Sequence, residues 1–238
     1  MKKLGLEMEK VKAIFVSHEH SDHITGIPAL SKKYQLPVYL TVGTHRGLPL
    51  PITPELVNIL DAPVTVRIGG LDIISFKKHH DAADPISFVV SDSKTHVGIF
   101  TDIGHNCKEM IRHFSQCHAA ILESNYCETM LENGSYPRHL KERIRGKKGH
   151  LSNDQALELF LKYRNPSLTH LILGHLSQNN NSMEKVRQVF APHAGNTEII
   201  IASRYKETDI ITIENITPAQ KIRLSANPKK ATNQLSLF

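Results

Sequence analysis

The sequence predicts a layered α/β fold, because short β-like apolar runs alternate with amphipathic stretches along most of the chain. The chain has 238 residues, of which 40% are apolar and 22% charged, so it is long enough to bury a hydrophobic core. No apolar run approaches the roughly 20 residues that cross a bilayer. The N-terminus has no apolar stretch of signal-peptide length. We therefore expect a cytoplasmic protein with no membrane partner.

The elements can be assigned in chain order from these patterns. The predicted strands are 13–17, 38–41, 71–76, 86–92, 95–102, 119–124, 169–175, 198–203 and 209–213. The predicted helices cover about 24–34, 106–115, 137–146, 152–163 and 182–191. The helix at 152–163 begins with SNDQ, a capping box in which Ser152 is the N-cap and Gln155 reaches back. From about residue 217 the chain is polar and basic, and we expect 217–238 to be a mobile tail.

The first candidate functional motif is SHEHSDH, directly after the apolar run VKAIFV. It contains His18, His20, Asp22 and His23, four potential ligands in six positions. Imidazole nitrogens and carboxylates bind Zn²⁺ and similar divalent ions. Four ligands are more than one ion needs from a single loop, which suggests two adjacent ions. The alternative is a polar surface turn that is rich in histidine.

Further candidate ligands follow other predicted strands. His79 and His80 come after the strand at 71–76, Asp102 ends the strand at 95–102, and His175 ends the strand at 169–175. Loops at the same edge of a sheet can meet there. A single histidine at a strand end is more often a satisfied polar residue than a ligand. The complete series, in order after the first motif, indicates a dinuclear metal site.

The order of these motifs resembles the metallo-β-lactamase superfamily. FVSHEHSDH, HDAADPISF, FTDIGH, ILESNY, GSYPRHLKERI, GHLSNDQA and LGHLSQNNN closely resemble the YycJ/WalJ-type hydrolases of that superfamily, over residues 4 to 215. The resemblance implies an αββα sandwich in residues 1–216, with two mixed sheets face to face and metals at one edge. It also implies 5′-to-3′ DNA exonuclease activity.

The resemblance also assigns the metal ligands. His18, His20 and His80 are expected to bind one ion; Asp22, His23 and His175 bind the other; and Asp102 bridges the two. His80 is preferred to His79 because the family pattern His-Asp-x-x-Asp begins at HDAAD. The two ions are Zn²⁺ or Mn²⁺, with Fe²⁺ also compatible with the ligands. Two such ions can hold a bridging hydroxide for attack on phosphorus, and Asp22 is predicted to be a catalytic residue as well as a ligand.

A histidine outside the ligand set is the candidate proton donor. His150 lies just before a predicted helix and Glu123 ends the predicted strand at 119–124, which resembles the Glu–His pair of tRNA-processing relatives. A carboxylate raises the pKa of a neighbouring imidazole, which suits a general acid. Alternatively, His150 caps its helix or binds the scissile phosphate. His105, Asp81 and Asp84 are expected to support the ligands.

A basic segment directly precedes His150. It contains the cations Arg138, Lys141, Arg143, Arg145, Lys147 and Lys148, with Glu142 as the single acid between them. The net charge of the chain is +6. These features predict a DNA backbone as the partner of this segment. The alternative is a solvated helix face.

The chain ends in QLSLF, an apolar motif on a polar tail. It resembles the pentapeptide by which bacterial replication and repair proteins bind the β sliding clamp. The resemblance assigns the contacts to Gln234, Leu235, Leu237 and Phe238. We expect recruitment to clamped DNA during repair or replication, unless the tail folds back on its own domain.

The sequence departs from the family pattern at its beginning. Family members begin with two more strands, a Gly- and Ser-rich turn and an aspartate, and about forty residues of that kind are not found before His18. We therefore expect an N-terminally truncated sandwich whose first sheet has an exposed edge. Two other functions remain open: a small-molecule metallo-hydrolase for a cyclic phosphodiester, lactone or thioester, and an inactive clamp-binding adaptor.

Overall fold

The computed structural model describes residues 4–49 and 51–213, which form two facing β-sheets with helices on their outer sides. The small sheet has three parallel strands in the order β1 (Ile14–Phe15), β2 (Val38–Thr41) and β3 (Val57–Leu60). The large sheet has the order β10-β9-β8-β7-β6-β5-β4. Its strands are β4 (Val64–Ile68), β5 (Leu71–Lys77), β6 (Ile86–Ser91), β7 (His96–Phe100), β8 (Ala119–Glu123), β9 (His170–Gly174) and β10 (Glu198–Ile201).

The direction of the strands in the large sheet determines where the connecting loops meet. Strands β4 to β7 pair antiparallel, whereas β7 to β10 pair parallel. The carboxyl ends of β7, β8, β9 and β10 therefore lie along one edge of the sheet. In sheets of this kind that edge is where ligands bind.

Eight helices are present in the described residues. They are α1 (Ser21–Ile24), α2 (Ile27–Tyr34), α3 (Val42–Arg46), α4 (Lys108–Phe114), α5 (Glu128–Asn133), α6 (Arg138–Arg145), α7 (Asn153–Tyr163) and α8 (Met183–Phe190). Short 3-10 helices cover Met8–Lys10, Pro54–Leu56 and Ala191–His193. The predicted capping box of α7 is confirmed, because the Gln155 N–H donates to Ser152 Oγ at 3.1 Å and the Ser152 N–H donates to Gln155 Oε1 at 2.9 Å. No helix in these residues has the length and hydropathy to span a membrane.

Three clusters of buried apolar side chains account for the layers. One lies between the large sheet and helices α4, α7 and α8, and it includes Phe100, Phe114 and Phe160. A second lies between the small sheet and α2. The third fills the space between the sheets, where Phe15 stacks on Tyr39 with ring centroids 4.7 Å apart and meets Phe88 of β6. These layers confirm the expected αββα sandwich.

Several predicted elements need correction. The strand predicted at 209–213 is wrong: this segment pairs with no strand of the described residues, and Ile210 is 64% exposed. Strands β3 and β4 were not predicted, although VTVRI alternates apolar and polar residues. The helix predicted at 24–34 is two helices, α1 and α2, separated at Thr25 and Gly26. The tail at 217–238 lies outside the described residues.

Two strands end earlier than predicted, for a shared reason. Strand β7 ends at Phe100 and β9 ends at Gly174, although the predicted strands continue to 102 and 175. Asp102 and His175 each have a φ of +57°, in the left-handed region that strands do not adopt. Both residues are candidate metal ligands, and strained backbone of this kind clusters at functional sites.

Candidate metal centre

The loops at one edge of the sandwich bring all seven predicted ligands together. His18 follows β1, and His20 is the N-cap residue of α1, whose first turn contains Asp22 and His23. The other three follow strands of the large sheet: His80 after β5, Asp102 after β7 and His175 after β9. The topology of the two sheets thus brings together residues as far apart in sequence as His18 and His175, which are 157 positions apart.

The ligand atoms form overlapping groups in which all atoms lie within 4.8 Å of one another. The groups are His18, His20 and His80; His18, His23 and Asp102; Asp22, His23 and His175; and Asp102, Glu123, His150 and His175. The first and third groups are the two ligand sets that the family resemblance implies. His79 is in none of these groups, and its ring lies 4.5 Å from that of His105.

Asp102 occupies the centre of the cluster. Its Oδ1 lies 3.3 Å from His175 Nε2 and 3.7 Å from His80 Nε2, and its Oδ2 lies 3.3 Å from His23 Nε2. The side chain is only 2% exposed. One carboxylate therefore faces histidines of both ligand sets, which is the position expected of a bridging ligand.

Three of the polar atoms that face the centre lack hydrogen-bond partners within the described residues. His18 Nε2, His23 Nε2 and Asp102 Oδ2 are buried, and none of them has such a partner in the described residues. An unpaired buried polar group costs about 1–3 kcal/mol. By contrast, the Nδ1 atoms of two predicted ligands have partners: His18 Nδ1 lies 2.9 Å from Ser17 Oγ, and His80 Nδ1 lies 3.1 Å from Gly149 O. This combination of anchored outer nitrogens and unpaired inner atoms fits a divalent metal site.

The charge states of the residues suit the same purpose. Burial lowers the pKa of His18 to about 2 and depresses the pKa of His80, so both imidazoles are neutral, the form that binds metal. Burial opposes a proton on His175, yet the carboxylates of Asp22 and Glu123 outweigh it and raise the pKa of His175 to about 10. An environment that holds a proton this firmly attracts any cation.

Glu123 connects the centre to His150. The carboxylate is fully buried, and its Oε2 lies 3.1 Å from His150 Nδ1 and 3.0 Å from His175 Nδ1. The same oxygen accepts the Asp102 N–H at 2.7 Å, and Oε1 accepts the Leu151 N–H at 2.7 Å. Burial raises the pKa of Glu123, but the hydrogen bonds from His150 and His175 outweigh it and lower this pKa to about 2. The predicted Glu–His pair is therefore present in space, and the proton-donor role of His150 stays a prediction.

The residues expected to support the ligands behave differently from one another. Asp81 Oδ1 lies 3.3 Å from His80 Nε2, and Asp81 Oδ2 pairs with Arg143. Asp84 instead pairs with Lys77, and His105 contacts His79 and the carbonyl of Lys147. Of the three, Asp81 is the one that contacts a predicted ligand through its side chain.

An asparagine network beneath the centre was not predicted from the sequence. The side-chain amide of Asn181 donates to Ser124 O and to Asn153 Oδ1, both at 2.8 Å, and Asn153 Nδ2 donates to Asn181 Oδ1 at 3.0 Å. Asn125 Nδ2 donates to the carbonyl of His175 at 2.9 Å. The network ties the loops after β8 and β9 to the start of α7. The run QNNN after His175 was its signal in the sequence.

Most cations of the basic segment have partners within the protein, so fewer of them are available to DNA than the sequence suggests. Arg138 pairs with Glu142 at 2.7 Å, and Arg145 pairs with Glu128 at 2.9 Å and with Glu132 at 2.7 Å. Lys141 Nζ donates to the carbonyl of Glu132, while Arg143 pairs with Asp81 beside the centre. Lys147 and Lys148 are exposed and form no ion pair within the described residues. In space the segment has more acidic neighbours than Glu142, because α5 supplies Glu128 and Glu132.

A cleft of about 640 Å³ opens directly beside the centre. It begins at Asp22, His150 and His175, and its sides are formed by α6 and by the chain after β10. The volume is typical of sites for small molecules or single nucleotides.

We expect divalent metal to stabilise the fold through the histidines of the centre. Adding Zn²⁺ or Mn²⁺ at about 100 times its dissociation constant contributes about 2.7 kcal/mol, which raises the thermal midpoint. His23→Ala should reduce this increase strongly, whereas His193→Ala, at an exposed histidine of a 3-10 helix, should leave it intact. Differential scanning fluorimetry measures both. Equal stabilisation of the two variants would contradict a metal role for His23.

We also expect the asparagine network to be necessary for stability. Asn181→Asp keeps the shape but replaces the buried NH₂ donor by an acceptor, which should cost about 1–3 kcal/mol or more in the free energy of unfolding. Asn179→Asp, at an exposed neighbour, should change it by less than about 1 kcal/mol. Urea denaturation of both variants tests this. Two equal, small changes would mean that the network does not hold the loops.

Comparisons with known proteins agree with the site. The family described as "Beta-lactamase superfamily domain" matches residues 1–175. The exodeoxyribonuclease YycJ of Bacillus anthracis is 31% identical over 191 residues, which cover 78% of this chain and 72% of that protein. The exodeoxyribonuclease WalJ of Streptococcus pneumoniae is 29% identical, covering 90% of this chain and 81% of its own.

A solved structure supports the fold. The metallo-β-lactamase fold protein YhfI from Bacillus subtilis superposes with a TM-score of 0.62 at 19% identity, covering 82% of this chain and 77% of that chain. At this identity the likeness speaks for the fold alone. The family predicted from the motifs is confirmed: the chain belongs to the metallo-β-lactamase superfamily as a YycJ/WalJ-type member, and it is a metal-dependent hydrolase.

Proposed function

We propose that the protein is a DNA exonuclease that hydrolyses phosphodiester bonds from the 5′ end with two divalent ions. The observation that carries the proposal is the pair of ligand groups on either side of Asp102, next to the Glu123–His150 pair and a cleft. The names of the relatives, which are exodeoxyribonucleases, support DNA as the substrate. The 5′-to-3′ direction rests on the family resemblance.

The seven predicted ligands form two sets in this proposal, one for each ion. His18, His20 and His80 hold one ion, and Asp22, His23 and His175 hold the other, with Asp102 between them. Two divalent ions in such a site activate water and neutralise charge on a phosphate. Zn²⁺ and Mn²⁺ both suit the mixture of imidazoles and carboxylates, and Fe²⁺ is also compatible.

His150 is the proton donor to the leaving oxygen. Its Nδ1 lies 3.1 Å from Glu123 Oε2, and its ring lies 5.1 Å from that of His80 and 5.4 Å from that of His175. Burial lowers the pKa of His150, but the hydrogen bond and charge of Glu123 outweigh it and raise the pKa. Glu123 thus fixes the proton on Nδ1 and favours the charged imidazolium, so the other ring nitrogen also has a proton to give.

In this proposal the cations nearest the metal centre contact the DNA backbone. Lys147 and Lys148 are exposed, lie just before His150 and are free of ion pairs within the described ranges. Arg143 lines the cleft but is paired with Asp81, so a phosphate has to compete with that carboxylate. Arg138, Lys141 and Arg145 are held in contacts with α5 or α6 and serve as a more distant positive field.

A nuclease assay tests the proposal. Linear 5′-phosphorylated DNA with Mn²⁺ or Zn²⁺ should be shortened from its 5′ end, and His20→Ala should abolish this activity because a ligand is lost. His150→Ala should lower the rate about a hundredfold or more. His139→Ala, at an exposed histidine of α6, is the matched control and should retain the rate. Undiminished cleavage by His20→Ala would rule out the metal-dependent mechanism.

Salt dependence in the same assay separates DNA from a small molecule as substrate. Replacing Lys147 and Lys148 by Gln should weaken DNA binding and flatten its dependence on salt, whereas Lys162→Gln, at a lysine of α7 paired with Glu158, should not. Hydrolysis of a small ester with no cleavage of DNA would favour the small-molecule hydrolase. Protein that binds no metal and turns nothing over would favour the adaptor.

The proposed partner is the β sliding clamp. The motif Gln234, Leu235, Leu237 and Phe238 lies outside the described residues, so its sequence is what supports this proposal. Tethering to the clamp raises the local concentration of enzyme on DNA. We expect the ratio of exonuclease rates with and without clamp to fall to about one when 234–238 are deleted. The same stimulation in the full-length and shortened chains would contradict clamp docking.

A further inference from the structure

The cleft beside the metal centre has two different walls. One wall is α6 and the residues before it, where Leu140 and Ile144 present apolar side chains next to Tyr136. The Tyr136 hydroxyl accepts a hydrogen bond from Asn179 Nδ2 at 3.0 Å, which holds its ring at the cleft. This wall offers apolar and aromatic surface within the same cavity as His150.

The other wall is the chain that leaves β10. Because β10 is parallel to β9, this chain emerges at the edge where β9 delivers His175. The Ala202 N–H continues the pairing by donating to Leu173 O at 2.8 Å. Arg204 Nη2 donates to Leu176 O at 2.9 Å. The wall is therefore attached to the loop that contains a predicted metal ligand.

Tyr205 on this second wall is the most unusual residue of the cleft. Its backbone N–H donates to Ser203 Oγ at 3.1 Å, but the residue is 84% exposed. Among large hydrophobic residues exposed in the described ranges, the next is Ile210 at 64%, and Tyr163 is 38% exposed. A tyrosine this exposed contributes little to packing, while a flat aromatic ring beside a catalytic centre can stack on a nucleobase.

The charge of the cleft suits a polyanion. Arg143 and Arg204 line it on opposite walls. Among the lining residues that the structure describes, Asp22 is the only acid, and it belongs to the metal centre. Polar side chains of Ser177, Gln178 and Asn181 complete the lining with hydrogen-bonding groups.

We propose that the cleft is a nucleoside subsite in which the base next to the scissile phosphate stacks on Tyr205, with Arg204 beside the backbone. This inference rests on the proposed nuclease function, and it names Tyr205 as the residue that determines a preference for single-stranded ends. Stacking makes no distinction between bases, because every base has an aromatic face. The subsite therefore favours single-stranded ends of any sequence.

The test compares three substrates in four proteins. The substrates are a 5′-phosphorylated single-stranded oligonucleotide and the same strand with abasic sites at the terminal positions, and bis(4-nitrophenyl) phosphate reports chemistry without a base. Tyr205→Ala should raise the KM for the normal strand about tenfold relative to wild type. It should show no such increase on the abasic strand. Tyr205→Phe should restore the wild-type KM, and the matched control Tyr163→Ala should match wild type on all substrates.

The outcomes distinguish the subsite from the function on which it rests. An unchanged KM of Tyr205→Ala, with full cleavage of oligonucleotide by wild type, overturns the subsite alone. An equal loss on normal and abasic strands also overturns it, because the effect would not depend on a base. Wild-type protein that hydrolyses bis(4-nitrophenyl) phosphate but neither strand overturns the nuclease function and the subsite together.

Discussion

The carboxylate of Asp102 is buried at the meeting point of five strand-end loops, and a buried charge needs partners of opposite sign. His23, His80 and His175 surround it; the pKa of His175 is raised to about 10, whereas burial depresses the pKa values of His80 and of the neighbouring His18, so these two imidazoles add no positive charge. Two of the nitrogens nearby, His18 Nε2 and His23 Nε2, have no hydrogen-bond partner among the residues that the structure describes. Divalent cations resolve all of these deficits together. The strained backbone at Asp102 and His175 is the structural cost of bringing both side chains to the same point.

Glu123 fixes the positions of three groups in this arrangement. It accepts hydrogen bonds from His150, from His175 and from the backbone of Asp102, so a predicted ligand, the proposed proton donor and a strained turn all depend on one buried side chain. The asparagine network beneath fixes the same loops from the other side. The candidate catalytic groups are thus held by hydrogen bonds within the scaffold, as preorganised sites require.

Much of the site was readable from the sequence because its ligands follow strands. Four of the predicted ligands lie within the six residues from His18 to His23. The others follow strands, and the order and direction of those strands place their carboxyl ends at one edge of the sheet. Residues that act from other elements were harder to find. Glu128 and Glu132 of α5 pair with Arg145 of α6. Counting charges within the segment 138–148 alone therefore overestimates the number of unpaired cations on α6. The segment 209–213 has the pattern of a strand, but a pattern does not supply a partner strand.

The histidines and aspartates around Asp102 are positioned to hold a pair of divalent ions. Anomalous diffraction at the absorption edge of Mn²⁺ or Zn²⁺, from crystals grown with that metal, measures this directly. We expect two peaks on either side of the Asp102 carboxylate, about 3.5–4 Å apart. Peaks found only elsewhere on the molecule, with none in bonding range of Asp102, would contradict it.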